Sequence, residues 1–362
     1  MSFWQGRRVF VTGHTGFKGG WLCLYLHQLG AEVCGYALAP GTSPDLFTSA
    51  QIASTLDSVE GDICDLPRLT SAMSAHRPEV IFHLAAQPLV RASYKAPLET
   101  YRVNVMGSLS VLDAARNCDS VRAIVMITTD KCYQNKEWIW GYREVDRLGG
   151  HDPYSSSKAC AELAVASWRD SFFPSASYAQ HGVEIATARA GNVIGGGDWS
   201  EDRLVPDVIR SLLEGRKLLL RNPGATRPWQ HVLEPLRGYI LLAEHLISKG
   251  AEAASCFNFG PEYHDTMPVS WVVRRIAECW GSHPEWDLEE TPQPHEANSL
   301  RLDWSKAEAL LNWSPRLSLQ DAVEHTTRWY RSWSKNEEML QHTLGEIEQY
   351  RRRAGSLQEG VA

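Results

Sequence analysis

Residues 7–12 (RRVFVT) form a β-branched, apolar run that passes directly into Gly13-His14-Thr15-Gly16-Phe17-Lys18-Gly19, and the spacing of apolar residues predicts a helix over 21–29. Strand, glycine turn and helix in that order leave few folds open. The glycines let backbone approach a pyrophosphate that rests on the helix N-terminus. The spacing is G-x-x-G-x-x-G, and no Gly-Lys-Ser/Thr closes it, so the loop is not a P-loop. A glycine turn that only permits close packing is the structural alternative.

The same alternation continues. Strands are predicted over 32–38, at 59–65, over 79–84, 121–127 and 183–188, and at 257–261, with helices over 66–75 and 97–118 and another from Tyr154 onward. Short connections between them give an α/β, Rossmann-type doubly wound parallel sheet. Beyond residue 192 the pattern loosens into helices over 204–214 and 235–248, a strand over 218–220 and an amphipathic helical stretch over 319–350. Residues 1–192 plus about 231–263 are therefore expected to form the dinucleotide-binding domain. A smaller, mainly helical substrate domain takes 193–230 plus about 264–350, and 351–362 is a polar tail.

Composition narrows the partners. A formal net charge of -7 argues against general nucleic-acid binding and leaves room for a local basic pocket. No apolar run approaches the roughly 20 residues of a membrane span, and the first residues lack a signal peptide's apolar stretch, so a cytoplasmic location is expected. The 8 cysteines are scattered without a C-x-x-C pair. They are expected to be reduced and mostly buried, with neither disulfide framework nor metal site. The 14 tryptophans should be mostly core.

Two stretches carry the chemistry. At the end of the second strand, residues 35–38 (GYAL) offer neither the carboxylate of an NAD ribose contact nor an arginine for a 2′-phosphate. Asp62-Ile63 suits an adenine edge, Asp65 a helix cap, and Ala85-Ala86 lets the chain pass close beneath a ligand. Thr129, Asp130 and Lys131 follow the strand over 121–127, where reacting groups of parallel sheets gather. Tyr154 and Lys158 lie one helical turn apart on one face. The ammonium is expected to lower the phenol from about 10 towards neutrality, making Tyr154 a general base.

This combination resembles the extended short-chain dehydrogenase/reductase superfamily, in the branch that modifies nucleotide-diphospho-sugars, over nearly the whole chain. Gly13, Gly16 and Gly19 match its cofactor loop, Asp62-Ile63 its adenine contact, Ala85-Ala86-Gln87 its central loop and Asn104 its structural asparagine. Thr129, Tyr154 and Lys158 match its catalytic hydroxyl, base and lysine. Thr15, Phe17 and Lys18 complete the expected cofactor contacts. Asp130 points to the sugar 4,6-dehydratases, because epimerases lack a carboxylate there. The larger dehydratase groups follow it with Glu; Lys131 instead resembles the group acting on CDP-D-glucose, as do Gly195-Gly196-Gly197-Asp198-Trp199, His295-Glu296-Ala297 and residues 302–307 (LDWSKA).

The resemblance implies NAD as a regenerated cofactor, CDP-D-glucose as substrate and CDP-4-keto-6-deoxy-D-glucose as product, in deoxysugar synthesis of the lipopolysaccharide O-antigen type. Catalysis is assigned to Thr129, Asp130, Lys131, Tyr154 and Lys158, and substrate contacts to Gln87, Asn192, Arg203, Leu204, Arg227, His231 and Glu296. Lys131 would act either as the C5 base or as a fixed cation beside the developing enolate. Arg227 pairing with Glu234 is the structural alternative for that arginine. A homodimer or homotetramer is expected through the helices over 97–118 and 154–172. Rival readings are a 4-epimerase, a dehydratase for another nucleotide, and a non-catalytic dinucleotide sensor.

Overall fold

The computed structural model describes residues 3–283, 285–289 and 300–356. Six strands, β1 (Arg8–Thr12), β2 (Glu32–Ala37), β3 (Asp57–Glu60), β4 (Val80–His83), β5 (Ala123–Ile127) and β6 (Glu184–Arg189), join a seventh, Cys256–Asn258, in one sheet. Its order is Cys256–Asn258, β6, β5, β4, β1, β2, β3, and every pairing is parallel. The order reverses between β1 and β4. There the connection from β1 to β2 runs to one side of the sheet and those from β3 to β4 and from β4 to β5 to the other, opening a crevice at the strands' carboxyl ends.

Side chains alternate across the strands, and both faces are buried. Val9, Val11, Val80, Phe82, Val125 and Ala186 join the core built on Trp21, Leu22 and Leu236, whereas Phe10, Ile81, Ile124, Met126 and Ile185 join that of Leu69, Val111 and Leu112. This is why the strands read as nearly continuous apolar runs. Asp65 caps the Leu66–His76 helix through Arg68 N, at 3.2 Å.

Three local expectations need correction. The predicted helix over 97–118 is interrupted by a π-helical turn, Arg102–Gly107. The stretch over 319–350 is two helices, Leu319–Ser334 and Met339–Ser356, so helix continues into the segment expected as a polar tail. The break is local backbone: Asn336 takes φ +57, a left-handed conformation that ends a helix while the apolar periodicity resumes beyond it. Of the eight free cysteines, Cys23, Cys34, Cys118 and Cys132 are buried; the others are half-buried.

The first of these C-terminal helices braces the site. Tyr330 donates to Asp198 O at 2.5 Å, and Trp329 fills the space a Cβ on Gly196 would take, 2.0 Å from its Cγ.

Candidate active site

The glycine loop is built so that backbone comes close to whatever lies above it. Gly13 has φ +78, and a Cβ there would fall 2.7 Å from Ala85 N; one on Gly19 would fall 2.1 Å from Gly13 O. Thr12 at the end of β1 ties the loop to β4: its Oγ1 accepts from Leu84 N and Ala85 N, each at 3.2 Å, and lies 2.8 Å from His83 Nδ1. Burial first, and Lys158 second, hold His83 down to about 3, so it stays a neutral structural bridge.

Above the loop lies a cleft of about 570 Å³, lined by Gly13, Thr15, Gly16, Phe17, Lys18, Asp62, Ile63, Ala85 and Ala86 at one end. Thr129, Asp130, Lys131, Tyr154 and Lys158 line its middle, with Asn192, Arg203, Leu204 and Arg227 beyond. Asp62 is already engaged, accepting from Cys64 N at 2.9 Å and from Arg102 at 3.0 Å.

The reacting groups interlock. Thr129 Oγ1 donates to Asp130 Oδ1 at 3.0 Å, accepts from Lys131 N at 3.3 Å, and hydrogen bonds with the Tyr154 hydroxyl. Asp130 is buried, its Oδ2 has no hydrogen-bond partner, and its carboxylate rests on Gly191. Asp152 caps the Tyr154 helix through Ser155 N at 2.9 Å. Lys158 donates to Ile127 O at 3.3 Å.

The electrostatics correct the sequence reading of Tyr154. Burial pushes its phenol up to about 12, opposed by the neighbouring Thr129 hydroxyl and the charge of Arg203, with Asp130 and Asp152 adding repulsion. Lys158 is itself brought down to about 8 by burial, opposed by Glu162 and Cys132. Lys18 falls to about 7 through burial, then repulsion from Arg203 and Lys158, with Asp130 opposing. The cleft is therefore poorly solvated around Lys18, where Arg203 and Lys158 crowd the ammonium and Asp130 opposes them.

Two expected substrate contacts, Gln87 and His231, are not brought to the cleft. Gln87 spends its side chain on Thr100 (2.9 Å) and Leu89 N (2.7 Å), and its backbone N–H on Asn104 (2.8 Å). His231 is fully buried, edge-on to Trp21 and His325, with its pKa down to about 3 through burial. Glu296, with His295 and Ala297, lies outside the described residues. Glu234 accepts from Arg316 N, Leu317 N and Tyr350, while Arg227 stands on the cleft wall.

Residues 10–326 match the family model for GDP-mannose 4,6 dehydratase. The chain belongs to the GDP-mannose 4,6-dehydratase family. Within it, the chain is 49% identical to the CDP-glucose 4,6-dehydratase of Salmonella typhimurium, over 96% of this chain and 97% of that protein. It is 28% identical to the dTDP-glucose 4,6-dehydratase of Streptomyces griseus, over 90% and 95%. Among solved structures it resembles the UDP-glucose 4-epimerase of Thermotoga maritima (TM-score 0.77, 22% identity, 90% of this chain and 99% of that one). It also resembles the dTDP-glucose 4,6-dehydratase of Bacillus anthracis (TM-score 0.72, 20% identity, 92% and 100%). At these identities the structures share the fold of this family's members.

Several cleft residues escaped the sequence reading. Arg102, Gly191, Asp198 and Trp229 all line it. Asp198 accepts from Arg203 at 2.7 Å and so aims that guanidinium. A carboxylate five positions before an arginine, after a glycine triplet, was the available signal; nothing local marks Gly191.

Proposed function

We propose that this chain dehydrates CDP-D-glucose to CDP-4-keto-6-deoxy-D-glucose, with NAD as its resident cofactor. The observation that carries the reading is Asp130: a buried carboxylate with one unpartnered oxygen, held by Thr129 beside Tyr154 and Lys158 at the end of a glycine cradle. The 49% identity to a CDP-glucose 4,6-dehydratase supports the choice of nucleotide.

Gly13, Gly16 and the N-terminus of the Phe17–Gln28 helix fit a dinucleotide pyrophosphate, since both glycines line the cleft and Gly13 leaves no room for a side chain against Ala85, so bare backbone faces the ligand there. The chemistry that bound NAD would supply is reversible hydride acceptance, from C4 and back to C6. Tyr154 is proposed to take the C4 hydroxyl proton as a phenolate, a form that the Lys158 ammonium and the positive charge of bound oxidised nicotinamide would favour over the neutral phenol of the protein alone, with Thr129 holding that oxygen. The resulting ketone acidifies C5–H; once that proton leaves, the C6 hydroxyl departs as water with a proton from Asp130, which is proposed to enter this step as the carboxylic acid, and C5 is reprotonated as the hydride reaches C6. Lys131, on the cleft wall, is proposed either to take the C5 proton or to face the C4 enolate as a cation. The cations Arg203 and Arg227, with Asn192, suit the diphosphate.

In this reading 1–192 plus about 231–263 hold the dinucleotide and 193–230 plus about 264–350 the nucleotide sugar. The eight free thiols suit a reducing cytoplasm, and no described helix is long and apolar enough to cross a membrane. Exposed apolar side chains on the helices around 97–116 and 153–172 suit a homodimer or homotetramer.

The test uses substrate deuterated at C4, offered as the CDP-, dTDP-, GDP- and UDP-linked sugars in turn. The expected result is many turnovers on catalytic NAD with the CDP sugar, and deuterium recovered at C6 of the ketosugar. Label lost to solvent, or an unchanged 6-hydroxyl, overturns the reading.

A further inference from the structure

Directly beneath the reacting groups lies a charged pair that does not line the cleft. Glu162 and Arg189 are each 3% exposed and meet at 2.8 Å. Glu162 follows Lys158 by four residues and Tyr154 by eight on the same helix, so the three side chains share a face. Its carboxylate accepts four hydrogen bonds: from Thr128 at 2.5 Å, Thr187 at 2.8 Å, and Arg189 Nε and Nη2 at 2.9 and 2.8 Å. Thr128 immediately precedes Thr129, and Arg189 ends β6 two residues before Gly191, on which Asp130 rests. Arg189 Nη1 continues outward to the Tyr133 hydroxyl at 2.8 Å, which donates to Asn258 at 2.7 Å.

We infer that the buried Glu162–Arg189 pair is a positioning device for the reaction: Glu162 keeps the Lys158 ammonium charged, while the pair pins the Thr129–Asp130 segment against the Tyr154 helix. Fold stability is a poor explanation for it, because replacing a buried ion pair by apolar groups is commonly neutral or stabilising. A carboxylate one turn from a buried ammonium has a direct electrostatic effect instead. The groups acting on Lys158 are Lys18 from the glycine loop, His83 from β4, Cys132 from the segment after β5 and Glu162 from its own helix, while Asp130 and Tyr154 line the same cleft. Arg189 stands behind Glu162, with Tyr133 beyond it. Of these, Glu162 and Cys132 favour the ammonium, and Glu162 has the larger influence. Burial alone would raise the Glu162 carboxyl, but the Arg189, Thr128 and Thr187 hydrogen bonds hold it below its ordinary value, so it is a full anion.

The sign follows. Glu162→Gln removes that anion and leaves Arg189 as an unopposed positive charge, so Lys158 gives up its proton at lower pH. Activity that needs the ammonium should then lose its alkaline limb at least about one pH unit lower than in wild type, a tenfold change in proton affinity. Glu162→Gln/Arg189→Met removes the repulsion as well, and its limb should fall between the two. The second readout is the titration of the Lys158 Cε resonance in full-length protein labelled with [ε-13C]lysine, assigned by its loss in Lys158→Arg. It should shift in the same order.

The inference rests on the role proposed above for Lys158, yet the resonance titrates whether or not any sugar is dehydrated, so the two can fail separately. Should the single variant not fold, the double variant decides, by a limb and titration below those of wild type. Wild-type titration and an unmoved alkaline limb in the folded variants, with only kcat or melting temperature reduced, would reduce the pair to a structural tie and overturn the proposal.

Discussion

At the scale of single residues, the site depends as much on a missing side chain as on the ones present. A Cβ on Gly191 would fall 1.9 Å from Asp130 Oδ2 and 2.0 Å from its Cγ, so the carboxylate occupies the space only glycine leaves. Gly191→Ala should swing Asp130 away while Thr129, Tyr154 and Lys158 keep their places. Misplacement by about 1 Å commonly costs on the order of a hundredfold. Stopped-flow absorbance should show C4 oxidation proceeding and the reduced nicotinamide persisting, with ketosugar release down roughly a hundredfold. Equal loss of both steps would mean that the substitution disturbs the whole cleft. Thr129, Tyr154 and Lys158 were legible in the sequence because their spacing is local. Gly191 was not, since its partner is distant in the chain. His231 misled because residue type says nothing of burial: packed against Trp21, it is core.

At the scale of elements, apolar periodicity located the helices and missed how they end or bulge. At the π-helical turn Arg102–Gly107 a Cβ on Gly107 would lie 2.4 Å from Ile63 Cδ1, and no pattern within the helix announces such a contact. That turn also carries Asn104, whose amide bridges Gln87 O (3.1 Å) and Ser157 (2.9 Å) and so couples the loop after β4 to the Tyr154 helix. On the outer side of these helices Leu98, Met106 and Leu163 are 85%, 55% and 60% exposed. Such apolar exposure suits a partner copy. Leu163→Glu should therefore weaken assembly. Burying a leucine is worth about 1.5–3 kcal/mol, so the dissociation constant should rise at least about tenfold, seen as monomer in light scattering at micromolar protein. An unchanged molar mass would place the interface elsewhere.

For the whole molecule, the parallel sheet was readable because strand, turn and helix repeat with short connections, whereas the loops beyond β6 were harder to place because tertiary contacts shape them. Burial across the fold also sets its response to acid. His14, His83 and His231 are lowered to about 4, 3 and 3, chiefly by burial, so all three remain neutral when folded at pH 5. Unfolding lets each bind a proton below about 6.5. The unfolded state then holds more protons, so stability is lost as pH falls, by roughly 1.4 kcal/mol per pH unit for each histidine. Melting temperature should be level above pH 7 and drop steeply below 6.5; His231→Phe should shed about one proton's worth of that slope, and an unaltered slope would count against it. The position of the edge strand has a bearing on synthesis. Cys256–Asn258 completes the sheet on β6 only after the chain has made the Leu204–Glu214 and Leu233–Lys249 helices, and Asn258 anchors Tyr133 beneath the site. Until residue 258 clears the ribosome, the nascent chain presents β6 as an open edge that invites pairing with other chains. A translational pause in that interval would expose it for longest.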